Sequence, residues 1–281
     1  MVVALALGAA VMYGVGDFIA GLVARRASVW AVAVVVQLFG TILIGVAAAI
    51  TPGRPLAQDW FWGAISGLGG GIGTVFLYRG LANGRMGVVA PLSAVGAAVL
   101  PVLIGLVGGE RPSLQAWTGI ACALPAIWLV SSAADPVVAN GRQGRLGVGV
   151  EDGLLAGIGF GVLFAALGQV PDTAGLGPPA LGQGLSIVTV AAIAAVMRRQ
   201  WIPRTRSAWP AVLVGFLAGG AAILFLFASQ AGLLAIASVI TSLYPAVTVL
   251  LATVILRERI HRAQAFGLAL AAVAVTLVAV G

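Results

Sequence analysis

The hydrophobic pattern of this 281-residue chain is a series of long apolar stretches separated by short polar breaks. A helix that crosses a bilayer needs about 20 consecutive apolar residues. Ten stretches approach or exceed that length, and the breaks between them carry arginine, proline, glycine or asparagine. The pattern predicts an all-α integral membrane protein with ten transmembrane helices, at residues 2–24, 31–50, 61–82, 87–108, 114–133, 153–170, 178–197, 209–230, 233–256 and 263–280.

An internal repeat relates the two halves of the chain. Glu110 and Glu258 each end a long apolar stretch, each is followed by an arginine, and they lie 148 positions apart. Gly119 and Gly267 share that spacing, and Gln37 and Gln183 occupy matching places in spans two and seven. Each half therefore repeats the same five-span design.

The number of spans per repeat determines how the halves are related. Five is odd, so the second repeat must begin on the opposite face of the membrane from the first. We therefore predict two inverted five-helix repeats, at residues 1–133 and 153–281, joined by a linker loop at residues 134–152.

Composition supports a membrane protein and excludes a soluble fold. Hydrophobic residues make up 61% of the chain and charged residues only 8%, with a mean hydropathy of +1.12. All 15 basic residues are arginine, and they are scattered between apolar stretches without forming a basic stripe, so no nucleic-acid partner is expected. The lone Cys122 and lone His261 supply neither a disulfide nor a metal or catalytic set, so we expect no cofactor, no metal and no enzymatic activity.

The arginines predict the orientation of the chain in the membrane. Arg54 and Arg111 fall in loops on one face, Arg79 lies inside a span, and the remaining 12 arginines fall in loops on the other face. Because arginine-rich loops stay in the cytoplasm, both termini are predicted to be external in an inner-membrane, multi-pass protein.

The paired features resemble the drug/metabolite transporter superfamily, EamA type. The residues that carry the resemblance are Pro101 with Gly108 to Arg111 in the first repeat, and Tyr244-Pro245 with Leu256 to Arg259 in the second. The resemblance covers essentially the whole chain. It implies secondary export or uptake of small organic molecules, such as amino acids, metabolites or drugs, without naming the solute. We expect an exporter that works by alternating access. The alternatives are a passive channel or facilitator, or an uptake carrier for sugars or other small solutes.

Neutral polar side chains within the spans are the candidates for a solute cavity. An unpaired polar group in hydrocarbon costs several kcal/mol, so such residues face helix contacts or water. A glutamine side chain forms hydrogen bonds to its own helix backbone less readily than serine or threonine does. This favours the matching residues Gln37 and Gln183 as cavity-lining residues. The predicted cavity residues are Tyr13, Gln37, Thr74, Tyr78, Ser93, Gln183, Ser186, Gln230, Thr241 and Tyr244. Such a cavity favours neutral or zwitterionic solutes such as amino acids.

Two charged residues within the spans are candidates for coupling or gating. Asp17 is the only acidic residue inside a predicted span, and Arg79 is the only arginine well inside one. Their spans run in the same direction and place them at similar depth, so the geometry allows an ion pair. The pair either couples transport to protons or gates the cavity. The structural alternative is a static pair, or an arginine that extends to the headgroups.

Two further expectations concern the charged span ends and the partners. Glu110 and Glu258 are interpreted as end caps that fix the turn into the following helix. The expected partners are a small-molecule solute, protons as a possible coupling ion, and the lipid bilayer, with the chain a monomer or a homodimer.

Overall fold

A computed structural model describes residues 1–24, 26–82, 86–131, 146–203, 206–257 and 260–280. Its regular structure is helical, with short 3₁₀ turns at Asp172–Ala174 and Arg206–Ala208. The helices are α1 (Val2–Ala24), α2 (Val29–Ile50), α3 (Ala57–Ala82), α4 (Met86–Val107), α5 (Leu114–Ser131), α6 (Leu146–Leu167), α7 (Gly177–Val196), α8 (Ala211–Gln230), α9 (Leu234–Thr241), α10 (Tyr244–Ile255) and α11 (Arg262–Val280).

These helices confirm the predicted all-α membrane fold. Eight segments of the described chain are long and apolar enough to cross a bilayer, and the apolar parts of α4 and α5 are shorter. The eight include one segment from Leu234 to Ile255 that contains both α9 and α10. The ten predicted spans are therefore all present as helices, and the ninth is divided into two.

The beginning of the second repeat differs from the prediction. We expected a linker over residues 134–152, but α6 already begins at Leu146, so residues 146–152 are helical. Residues 132–145 lie outside the described part of the chain. The apolar run before Glu151 continues the helix, and this places the adjacent Asp152 inside a membrane helix rather than in a loop.

The helices pack in pairs that repeat across the two halves. In the first repeat, α3 packs against α6 and α7, and in the second repeat the equivalent α8 packs against α1 and α2. The last helices of the two repeats, α5 and α11, pack against each other, as do the second helices, α2 and α7. Contacts that recur in this way are what two repeats related by a pseudo-two-fold axis require.

Equivalent glycines allow these close approaches. A Cβ atom on Gly215 of α8 would lie 2.7 Å from the carbonyl oxygen of Val36 on α2. A Cβ atom on its counterpart Gly67 of α3 would lie even closer to the backbone of Gly182 on α7. Such contacts replace the hydrophobic driving force that helices lack inside lipid, because they allow backbones to pack tightly.

Glu110 joins the two repeats at the face whose loops carry only Arg54 and Arg111, which we call the arginine-poor face; the opposite face is the arginine-rich face. Its two carboxylate oxygens accept hydrogen bonds from the backbone N–H groups of Leu234 (2.6 Å) and Ala235 (3.0 Å), the first residues of α9. The end cap that we predicted therefore acts on a helix of the other repeat and not on the following helix. Gly105 leaves room for the carboxylate, since a Cβ atom there would collide with it. Glu258 lies outside the described residues.

The orientation is tested by labelling single cysteines from one side of the membrane. With Cys122 replaced by alanine, cysteine is placed at the exposed Thr51 on the arginine-poor face or at the exposed Gln200 on the arginine-rich face. In intact cells, a membrane-impermeant thiol reagent is expected to label position 51 and not position 200. Labelling of position 200 alone would mean that the chain is inserted the other way round.

The cap on α9 is tested by Glu110→Gln. Loss of the carboxylate removes one charged acceptor from two N–H groups at a positive helix end, and we expect a loss of about 1–2 kcal/mol of stability. The thermal unfolding midpoint of the purified protein measures it. Arg111→Gln, which changes the exposed neighbour, is the matched control and should leave the midpoint unchanged. Equal midpoints for the two variants would contradict the assigned cap.

Candidate functional site

A cavity of about 70 Å³ lies between the two repeats. It is lined by residues of α1, α2 and α3 from the first repeat and of α6, α7, α8 and α10 from the second. A cavity of this size holds a few water molecules without any rearrangement. The described residues that line it include none from α5 or α11, which pack together away from it.

The two matching glutamines meet at this cavity. The side-chain amide of Gln183 donates a hydrogen bond to the amide oxygen of Gln37 at 2.6 Å. The amide nitrogen of Gln37 in turn donates to the hydroxyl of Thr74 at 3.1 Å. Gln37 is buried, and all three residues line the cavity. The chain thus places one amide from each repeat in a continuous hydrogen-bonded row.

Aromatic residues form the walls on either side of this row. The ring centroids of Tyr13 and Tyr244 are 6.3 Å apart, and those of Tyr13 and Phe164 are 5.9 Å apart. Tyr78 and Phe160 line the same cavity. These rings combine a large apolar surface with, in the tyrosines, a polar tip.

A break in the ninth span positions Tyr244. The span is interrupted at Ser242 and Leu243, and Tyr244 begins the second segment, α10. Pro245 explains the break, because it has no N–H group to donate to the carbonyl four residues earlier. The Tyr244 hydroxyl lies 3.3 Å from the hydroxyl of Ser93, which itself donates to the Ala90 carbonyl. Discontinuous helices of this kind frequently surround transporter binding sites.

Asp17 faces the cavity without a partner. It lies seven residues before the end of α1, about 10 Å along the helix axis. The phenol groups of Tyr13, Tyr78 and Tyr244 are within electrostatic reach of its carboxylate. Nevertheless, no group in the described part of the chain forms a hydrogen bond or an ion pair with it.

The ion pair that the sequence allowed between Asp17 and Arg79 is not formed. Arg79 instead pairs with Asp152 of α6, and its Nε donates to Asp152 Oδ1 at 2.7 Å. The guanidinium carbon also lies 4.6 Å from the centre of the Phe76 ring. The Asp152 side chain is fully buried, whereas that of Arg79 keeps 22% of its surface exposed. Similar depth did not make Asp17 and Arg79 partners, because α3 packs mainly against α6 and α7 and less against α1.

Four of the predicted cavity residues lie outside the lining. Ser93 stands behind it and supports Tyr244. Ser186 donates to the Gly67 carbonyl at 2.8 Å and so joins α7 to α3. Thr241 lies 3.5 Å from the Ala6 carbonyl, and Gln230 donates to the Val170 carbonyl near the arginine-poor face. Tyr13, Asp17, Gln37, Thr74, Tyr78, Gln183 and Tyr244 are the predicted residues that line the cavity.

Sequence reasoning missed residues of two kinds. Ser66, Phe160 and Phe164 line the cavity but were not predicted to do so. Phe160 precedes Gly161 as Tyr13 precedes Gly14, so the internal repeat could have identified Phe160 as a cavity residue. Asp152 was assigned to the linker loop. The structure places it in the membrane because α6 begins earlier than predicted, at Leu146.

A cluster of buried hydrophobic residues borders the cavity on the side of the arginine-rich face, and we call it the inner cluster; Val36, Leu77 and Tyr78 belong to both the cluster and the cavity lining. It joins the ends of α1, α3 and α7 to the beginnings of α2 and α8. The Arg79–Asp152 pair lies at the same end of the bundle. At the other end the cavity reaches Leu167, the last residue of α6, and Pro179 at the beginning of α7. The residues of the inner cluster include Ala20, Val23, Trp30, Val34, Tyr78, Val89, Val190, Ala194 and Ala211.

Within the described residues, no group of three or more histidine, cysteine, aspartate or glutamate side chains is placed to hold a metal ion. The cavity presents groups that can bind a solute. It has one carboxylate, a row of amides and a hydroxyl, and aromatic walls.

Comparison with known proteins agrees with this fold. The sequence profile of the EamA-like transporter family matches residues 1–132 and 153–280. A solved structure described only as "Crystal structure of protein" aligns with a TM-score of 0.71 at 18% identity, over 99% of this chain and 98% of that chain. No curated protein sequence matches this chain. With a family match over most of the chain and an all-α membrane fold, the chain belongs to the EamA-like transporter family, whose members are membrane transporters of small solutes.

Proposed function

We propose that this protein is a secondary transporter that moves small organic solutes across the inner membrane by alternating access, in the direction of export. The observation that carries the proposal is the cavity between the repeats, where Gln37 and Gln183 meet. Inverted repeats support binding sites near the middle of the bilayer, with one repeat moving against the other around the site. The family match supports the transport of small solutes. The direction of transport, the alternating-access mechanism and the location in the inner membrane are part of the proposal.

The lining of the cavity suits an amphipathic solute. Six of its polar residues, among them Asp17, Gln37 and Thr74, come from the first repeat. The second repeat contributes mainly an apolar wall, which includes Phe160, Phe164 and Ala218. A solute with a polar edge and an apolar body would satisfy both sides, and pockets that combine apolar walls with a few polar groups are typical small-molecule sites.

A second asymmetry, between the two faces of the protein, supports an outward-facing state. The cavity reaches the helix ends at the arginine-poor face, whereas the inner cluster and the Arg79–Asp152 pair lie beneath it. With the arginine-rich face in the cytoplasm, this arrangement closes the cytoplasmic mouth. We propose that the ion pair, which joins α3 of one repeat to α6 of the other, acts as the cytoplasmic gate. Arg79 would then act in gating, as its place in a span suggested, but with Asp152 as its partner.

Access to the cavity tests the proposal without knowledge of the solute. With Cys122 replaced by alanine, Ala218→Cys places a thiol on the cavity wall. An impermeant thiol reagent is expected to label it faster from the arginine-poor side than from the arginine-rich side of oriented vesicles. Thr118→Cys, on the exposed surface of α5, is the control and should remain unreactive from both sides. Equal rates at position 218 from the two sides would contradict an outward-facing cavity.

Asp152→Asn tests the gate. Removing this charge weakens the closure, and a loss of only about 1.4 kcal/mol shifts an equilibrium between two states about tenfold. Labelling of the cysteine at position 218 from the arginine-rich side should therefore become about tenfold faster. The control is Glu151→Gln, which removes the neighbouring exposed carboxylate. The double variant Arg79→Gln with Asp152→Asn leaves no unpaired buried charge and should behave like Asp152→Asn. Rates equal to those of Glu151→Gln would exclude the pair as a gate.

A further inference from the structure

We propose that the cavity selects solutes that carry an ammonium group and no carboxylate, and that Asp17 is the residue that binds the ammonium group. The inference rests on the proposed function, since it names the solute class of the same cavity. It replaces the neutral and zwitterionic solutes expected from the sequence with cationic amines that have an apolar body. The juxtaposition that carries it is a carboxylate without a partner among three tyrosines.

The charge balance of the cavity is the first argument. Asp17 is the only carboxylate among the described lining residues, and that lining contains no arginine and no histidine. Arg79, the one cation that the sequence placed at a similar depth, is held by Asp152. A carboxylate in a poorly solvated site is stabilised by a bound cation and destabilised by a second negative charge. An ammonium group completes the site, whereas an amino acid brings a carboxylate for which no cation is available.

The rings around Asp17 are the second argument. Tyr13, Tyr78 and Tyr244 all line the cavity with it, and their hydroxyl groups leave its carboxylate without a hydrogen bond. The Tyr244 hydroxyl is instead engaged with Ser93. Aromatic rings attract an organic cation through their faces, most strongly where water is excluded. Carboxylate and rings together therefore favour an ammonium group over a neutral group of the same size.

The remainder of the lining accommodates the rest of such a solute. Phe160 and Phe164 provide an apolar wall for a hydrocarbon or aromatic body. Gln37 and Gln183 are neutral, and their amides are already joined to each other. Neutral amides can solvate a polar group, but they do not compensate the charge of a carboxylate as an arginine does. The site thus discriminates by charge at one end and by apolar contact along its length.

Three probes with the same phenylalkyl body test the inference. Phenethylamine carries only the ammonium group, phenylalanine carries both charges, and 3-phenylpropionate carries only the carboxylate. Each is assayed in the variant that combines Cys122→Ala with Ala218→Cys, by the concentration that half-protects the thiol at position 218 from the reagent. We expect phenethylamine to protect at a concentration about tenfold or more below that of the other two, as for a charged hydrogen bond.

Variants of Asp17 assign the selectivity to its carboxylate. Asp17→Asn should raise the half-protecting concentration of phenethylamine about tenfold and should not weaken protection by 3-phenylpropionate. Asp17→Glu retains the charge and should retain the preference for the amine. The side-dependent labelling of position 218 without any probe shows in each variant that the fold is intact.

Two results would overturn the inference. One is equal protection by the three probes, including no protection by any of them. The other is protection by phenethylamine that is unchanged in Asp17→Asn. Both leave the proposed function standing as long as the thiol at position 218 is labelled faster from the arginine-poor side, because that measurement uses no solute. Loss of this asymmetry would instead contradict the proposed function itself.

Discussion

The hydrogen bond between Gln37 and Gln183 is the interaction around which the protein is organised. Each amide comes from the second helix of one repeat, and the two would be costly to leave unpaired in a membrane interior. Their pairing joins the two repeats at the level of the cavity, and Thr74 extends the row into α3. Glycines at equivalent positions allow the flanking helices to approach closely enough for this contact. The repeats therefore meet in one place that is both tightly packed and polar.

Departures from symmetry distinguish the two faces of a scaffold whose helix contacts repeat. The Arg79–Asp152 pair joins the repeats near the arginine-rich face, while the positions equivalent to Arg79 in the second repeat are the apolar Phe227 and Ala228. Asp17 likewise has the apolar Phe164 as its equivalent. In the proposed transport cycle, this difference gives the two ends of the cavity different opening free energies, so the states open to the two faces are unequally populated.

Much of the fold was predictable because the bilayer imposes a length and a polarity on every helix. The ten spans and the repeat followed from apolar run lengths and matched residues such as Glu110 and Glu258. The meeting of Gln37 and Gln183 was predictable for a different reason, because matching positions in inverted repeats approach one axis. Helix neighbours were not predictable from depth alone, which is why Arg79 was assigned to Asp17 rather than to Asp152. Pro245 accounts for the division of the ninth span, but the sequence did not predict it, because a proline near the middle of a span can produce either a kink or a break.

A double-mutant cycle on Gln37 and Gln183 tests the central interaction most directly. The free energy of unfolding in an SDS titration is measured for the wild type, Gln37→Leu, Gln183→Leu and the double variant. A direct bond between the repeats predicts that the double variant is less destabilised than the sum of the single variants, by about 1 kcal/mol. Additive effects would mean that the two glutamines act independently, and would contradict an account in which the repeats meet through them.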